Sequence, residues 1–302
     1  MSPVAPGDYL EDVRNHLHLG KLTETEIISE LKAHIEDEVQ ELKDKGLSEE
    51  EAIKTCLELL GSGKKVARQL YEAHSRGSWT QTLLAATPHL LVALMFALSW
   101  WPGIGWVLAV LTAVFGLAIY GWWKEKPDWI FSWLSYSLLP VIAVGLLMFY
   151  LPREWTWIAL LVYIPLGSLL IYHITIQTIK RDWLYCSLML LPVPITLAWL
   201  IIIGSAGEPN NISIEYLRYF SPWIGLCFLI LAVSVALFIR ARARWMKIAS
   251  LIVAGLLTLA LCAYYAQGRL NAHAFAILVL LIPGLFIAPA LLEHKVKNRE
   301  NL

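Results

Sequence analysis

Acidic side chains are absent from all eight of the long apolar runs in this sequence. Asp128, Glu154, Asp182 and Glu215 lie only at their edges. Proton and sodium pumps place a carboxylate on the ion path, so this absence argues against ion-coupled transport. Charge is scarce in the chain as a whole, at 16% of residues. Cysteine is scarce too. Cys56, Cys186, Cys227 and Cys262 form no CxxC pair, and three of them sit inside apolar runs, so neither a disulfide nor a metal site is indicated. No serine elbow, HExxH motif or paired catalytic carboxylates occur. Gly61-Ser62-Gly63-Lys64-Lys65 is not a phosphate loop: Glu58 stands where the first glycine belongs, Lys65 stands where Ser or Thr belongs, and no strand precedes it. His16 and His18 lack the i, i+4 spacing that aims two ligands the same way, and His34 is distant, which argues against a zinc site. The expectation is a protein that is not an enzyme and carries no cofactor.

What the sequence has is hydrophobicity. Apolar residues make up 58% of it and the mean hydropathy is +0.59, whereas globular domains are about 45–50% apolar. Most of the 14 tryptophans stand at the ends of apolar runs, as in the aromatic belts of membrane proteins. Eight runs approach the ~20 residues that cross a bilayer: 80–100, 103–123, 129–151, 155–179, 184–204, 219–239, 246–266 and 272–292. Trp101-Pro102 makes the first two a tight hairpin. Pro165, Pro192 with Pro194, and Pro283 with Pro289 predict kinks whose freed carbonyls neighbouring helices can satisfy. Lys124, Lys126, Lys180, Arg181, Arg240, Arg242, Arg244, Lys247, Lys295, Lys297 and Arg299 fall on one side of these spans, and Arg153, Arg218 and Arg269 on the other. The positive-inside rule then places both termini in the cytoplasm, which agrees with an even number of spans. The first residues, Met1 to Gly7, lack the basic and apolar regions of a signal peptide. A sequon at Asn211-Ile212-Ser213 in the external loop 205–218 carries no weight in a bacterial-type protein.

In front of the membrane body stands a charged N-terminal domain, residues 1–78, with a net charge of −6 against +6 for residues 79–302. It reads as four short helices. Asp8 with Glu11, Thr23 with Glu26, and Ser48 with Glu51 have capping-box spacing, Ser62 can cap the last helix, and Gly20, Gly46 and Gly61 are helix stops. Such short helices are marginal alone and must bury their apolar stripes. Leu31, Ile35 and Val39 form one packing face, and Glu36, Asp37, Glu38 and Glu41 form an acidic face open to a partner. The order of motifs is Tyr9-Leu10-x-x-Val13, Glu26-Ile27-Ile28-x-Glu30-Leu31-x-x-His34-Ile35-Glu36-Asp37, Gly46-Leu47-Ser48-Glu49-Glu50-Glu51-Ala52, Leu59-Leu60-Gly61 and Ala67-Arg68-Gln69-Leu70. It resembles the HAAS signalling domain and the closely similar permease prefix domain, departing at Ser62-Gly63-Lys64, where that family often has Asp or Ser followed by Pro. The resemblance covers the first quarter of the chain. It implies a cytosolic regulatory module on a bacterial inner-membrane protein, working with a PadR-type regulator or a sigma-factor system, or in some members beside transporter permeases.

Two further groups are candidates. Arg240, Arg242, Arg244 and Lys247 form the strongest basic loop, a topology determinant near anionic headgroups that can also dock the acidic face of the N-terminal domain. His173 and Gln177 form an intramembrane polar cluster, with His173 expected as a helix–helix hydrogen-bonding group. Direct nucleic-acid binding by the acidic N-terminal domain is not expected, because its surface repels phosphate. The fold expected is all-α: a small cytosolic helical domain and a polytopic bundle of about eight transmembrane helices. The function expected is that of a signalling or regulator-binding membrane protein, with a permease subunit or the membrane anchor of a larger complex as the alternative.

Overall fold

A computed structural model describes residues 6–17, 19, 21–100, 102–124, 127–148, 153–204, 214–266 and 271–300. Gly20, His18, Trp101, Lys126, Arg269 and most of the loop 205–218 with its sequon, all singled out above, lie outside the described residues. Every regular element described is helical, as the sequence predicts. The chain divides into two compact units, Met1–Arg76 and Gly77–Leu302.

The first unit contains α1 (Pro6–Leu17), α2 (Lys21–Asp44), α3 (Glu49–Leu60) and α4 (Gly63–His74). The box at Ser48 forms as expected. Glu51 N–H donates to Ser48 Oγ, and the Glu51 carboxylate accepts from Ser48 N–H at 3.2 Å. The other two boxes are corrected. Helix α1 already begins at Pro6, whose missing N–H and fixed φ suit a first helical position, so Asp8 lies in the first turn rather than at the cap. Helix α2 begins at Lys21, so Thr23 is likewise inside it. Ser62 holds the cap position of α4, but its side chain accepts no backbone hydrogen bond. Gly46, at φ +100°, ends α2 in a Schellman turn: its N–H donates to Lys43 O at 2.9 Å, and Leu47 N–H donates to Leu42 O at 3.3 Å. Tyr9, Val13, Leu17, Ile27, Ile28, Ile35, Cys56, Val66 and Ala67 form the core of this unit.

The second unit contains α5 (Trp79–Ala97), α6 (Ile104–Trp123), α7 (Ile130–Met148), α8 (Arg153–Arg181), α9 (Trp183–Leu190), α10 (Pro192–Gly204), α11 (Ile214–Arg240), α12 (Arg244–Tyr265) and α13 (Ala272–Glu300). By length and apolarity seven of the described segments can cross a membrane: those in α5, α6, α8, α11, α12 and α13, and α9 with α10 as one. The remaining expected span falls on α7, a 19-residue apolar helix, Ile130–Met148. Helices α9 and α10 lie deepest, with 67% of their apolar window buried, whereas α6 and α8 bury only 17% and turn most of their surface outward. Helices α5 and α11 pack closely through small residues, Gly225 meeting Ala93 and Ala97. A capping box absent from the expectations, Ser78 with Gln81, starts α5.

The prolines act in two ways. Pro192 divides the fifth expected span, with Leu191 between α9 and α10. Pro165, Pro283 and Pro289 lie within helices that continue through them. A proline inside a helix leaves the carbonyl four residues back without its donor. Pro88 does this to Leu84, and Trp133 Nε1 on α7 donates to Leu84 O at 2.9 Å. Pro289 does it to Leu285, and Ser187 Oγ on α9 donates to Leu285 O at 2.7 Å.

Candidate functional site

The residues singled out from the sequence of the N-terminal domain are of two kinds. Ile35 is only 2% exposed, and Leu31 and Val39 are half-buried; all three pack with the domain's core. Glu36, Asp37 and Glu41 are exposed and Glu38 is half-buried. The acidity of this stripe is offset along its own helix, where Lys32 lies 3.7 Å from Glu36 and Lys45 lies 2.6 Å from Glu41. The Lys45 hydrogen bond holds the Glu41 carboxyl below the usual carboxylate range, and the same contact raises Lys45. In the core, burial pushes the Cys56 thiol and the Tyr9 phenol upward, Tyr9 also feeling the charge of Asp12. The acidic stripe therefore lies on the surface of the N-terminal domain, while Ile35 belongs to its interior.

The expected cluster at His173 and Gln177 is corrected. The inward face of α8 carries Ile174 and Thr178, one turn apart and both buried. His173 stands off that face and is exposed, its ring centroid 6.2 Å from that of Trp122 on α6, while Gln177 is half-buried. The buried histidine is His89 on α5, 1% exposed, edge-on to Tyr136 of α7 with centroids 5.2 Å apart. Among the described residues, His89 Nδ1 and the Tyr136 hydroxyl have no hydrogen-bond partner.

The four basic residues of the expected loop separate as well. Arg242 is exposed. Arg240 is half-buried, donates to Gly77 O at 3.1 Å and lies 4.3 Å above the Trp79 ring. Gly77 N–H donates in turn to Ile239 O at 2.9 Å, so the start of α5 is tied to the end of α11. Arg244 and Lys247, in the first turns of α12, enter the bundle.

There they join a buried ionic cluster. Asp182 is 0% exposed and Lys247 only 1%. Asp182 is the N-cap of α9: its Oδ1 accepts from Leu184 N–H at 3.0 Å and from Arg244 Nη2 at 2.9 Å. Arg181, the last residue of α8, pairs with Asp128 just before α7. Its guanidinium also covers Phe131 at 5.5 Å and Tyr185 at 5.3 Å, measured to the ring centroids. Lys247 Nζ lies 5.2 Å from the centroid of Phe238 and 6.0 Å from that of Tyr185. Asp128 and Asp182 both act on it electrostatically. Ends of α7, α8, α9 and α12 thus meet in one patch of charge floored by aromatic rings. In so dry a place, removing one partner of a pair leaves a buried charge at a cost of about 3–5 kcal/mol. Among the described residues, no group of three or more His, Cys, Asp or Glu is placed to hold a metal ion.

Two signals for this cluster stand in the sequence. Lys247 is the only Lys, Arg, Asp or Glu inside any of the eight expected spans. Arg181-Asp182-Trp183 sets a charge pair beside an aromatic at a span edge, but such an edge reads as solvated until the packing shows otherwise. The chain matches no family model, no curated protein and no solved structure.

Proposed function

We propose that this protein is a regulatory protein of the bacterial cytoplasmic membrane, with its N-terminal domain in the cytosol as a module that holds and releases a cytosolic regulator. The observation that carries the reading is that domain itself. It is a unit of four helices with its own core, attached to seven apolar helices that mark an integral membrane protein. The motif order that resembles the HAAS and permease prefix domains supports it, and makes a PadR-type regulator or sigma-factor system the class of partner. The asymmetry of basic residues between the two sides of the spans supports cytoplasmic termini. The exposed Glu36, Asp37 and Glu41 supply a contact surface that does not disturb the domain's core. In this reading the protein carries no catalytic chemistry; the membrane bundle receives the signal and the N-terminal domain reports it.

The test is affinity purification of the full-length protein in mild detergent, beside a Glu36→Lys/Asp37→Lys variant. A cytosolic regulator recovered with the wild type and lost from the folded variant supports the reading. Equal recovery from both, or recovery of membrane subunits alone, sinks it. A permease subunit or membrane anchor is the second reading, favoured by the buried Asp182 and Lys247, since ionisable groups inside membrane bundles mark substrate paths. Recovery with transporter subunits would select it.

A further inference from the structure

We propose that His89, Ser132 and Tyr136 hold an internal water molecule between α5 and α7, deep in the membrane. The inference concerns the membrane body and does not depend on what the N-terminal domain binds. It starts from hydrogen bonds. Among the described residues, His89 Nδ1, Ser132 Oγ and the Tyr136 hydroxyl are enclosed and have no partner. Their residues are 1%, 0% and 7% exposed. A buried polar group left unpaired is costly, and three on one helix contact call for a common partner. The contact itself is fixed at two levels. Trp133 Nε1 donates to Leu84 O at 2.9 Å, and about one turn further along both helices His89 meets Tyr136 edge-on, with ring centroids 5.2 Å apart. Tyr136 follows Ser132 by four residues, so the two lie on one face of α7. Helical aromatic side chains lean back over the preceding turn, which brings the Tyr136 ring toward Ser132. His89 leans likewise over the turn of Ala85 and Ala86, whose side chains are single methyl groups.

Chemistry narrows the ligand. It is neutral, because neither α5 nor α7 carries a Lys, Arg, Asp or Glu that could balance an ion. It both gives and takes hydrogen bonds, because a hydroxyl does both and the imidazole nitrogen does one or the other according to its tautomer. It is small, because the three residues are almost wholly enclosed and anything larger than water enters only by parting the helices. Water meets all three requirements, and three polar neighbours is the number a buried water ordinarily has. Depth makes the site unusual. His89 stands ten residues into α5 from the exposed Trp79, about 15 Å along the axis, which is near the midplane of a hydrocarbon layer about 30 Å thick. The water bridges α5 and α7 where lipid supplies no donor or acceptor.

The experiment uses the full-length protein in detergent. A short X-ray pulse makes hydroxyl radicals from bound water as well as from bulk water, and mass spectrometry reads which side chains they oxidise. Relative to intrinsic side-chain reactivity, Tyr136 is expected to be labelled at least fivefold faster than Leu231, which is 0% exposed on α11. The double variant Ser132→Ala/Tyr136→Phe removes two hydroxyl oxygens and keeps every ring. With only His89 left to hold the water, labelling at position 136 is expected to fall at least fivefold, after allowance for the lower reactivity of phenylalanine. Labelling of Tyr136 no faster than that of Leu231 overturns the proposal, and this comparison needs no variant to fold. Unchanged labelling at position 136 in the folded double variant overturns it as well.

Discussion

Gly225 has room for a hydrogen and little more. A Cβ built there would stand 3.0 Å from the carbonyl oxygen of Ala93 and 3.3 Å from the amide nitrogen of Ala97, and backbone atoms cannot step aside as a flexible side chain can. Overpacking of this kind costs about 1–3 kcal/mol. Gly225→Ala is therefore expected to lower the unfolding temperature in detergent, followed through tryptophan fluorescence, and Gly225→Leu to lower it further. Gly116, with nothing within 4 Å, is the control: Gly116→Ala should leave the temperature nearly unchanged. In the N-terminal domain, the residue-scale prediction concerns pH. Hydrogen bonds from Ser48 hold the Glu51 carboxyl below its usual value. A depressed folded value means that the box contributes fully above the ordinary carboxylate range and is lost as pH falls through the depressed value. Amide exchange in the first turn of α3 should quicken there relative to the rest of the helix, and Ser48→Ala should show the faster exchange already at neutral pH. This box was legible because its signal is local, four residues long. The exposure of His173 was not. Span four is apolar on nearly every side, so the sequence offers no stripe to say which side faces the bundle, and only the burial of Ile174 and Thr178 decides it.

At the scale of the element, what holds one membrane helix to another here is often a side chain that completes a neighbour's backbone. Trp133 on α7 does so for the carbonyl that Pro88 frees on α5. Interhelical hydrogen bonds in membranes average about 0.6 kcal/mol and reach about 1.7. Trp133→Phe should fall near the upper figure because it strands a carbonyl. In a Pro88→Ala background the helix supplies its own donor, so the same substitution should cost less, and a double-mutant cycle on unfolding temperature measures the difference. Equal costs in both backgrounds would refute the account. Helix existence was legible throughout, and so was the break at Pro192. The role of Pro88 was not, because a proline announces a freed carbonyl without naming the donor, and the donor lies on another helix. The same limit hid the ionic cluster: Arg244 and Asp182 are 62 residues apart in sequence, and nothing local links them.

At the scale of the whole molecule, one chain carries two cores made in different ways. The N-terminal domain buries amphipathic stripes against each other under a charged surface, whereas the body buries small residues, aromatics and one ionic patch and leaves large apolar residues outside. Water drives the first kind of packing; the second relies on close fit and hydrogen bonds. The intact protein is accordingly expected to unfold in two steps. Acid should move the step of the N-terminal domain, followed by amide exchange in residues 21–60, and a change of detergent should move the body's step, followed by tryptophan fluorescence. A single transition seen identically by both probes under every condition would contradict this.

The proline-freed carbonyls also set an order of events. Chains enter the membrane from the N-terminus onward, so every cross-helix bond has an earlier and a later partner. The carbonyl exposed by Pro88 is made first and must wait 49 residues for Trp133. The carbonyl exposed by Pro289 is made last, 98 residues after the hydroxyl of Ser187 that will receive it. Helix α5 therefore enters the bilayer with an open valence, while α13 arrives to one already prepared. A chain cut short before α13 would leave Ser187 without this acceptor, whereas a chain cut before α7 would leave a bare carbonyl in lipid.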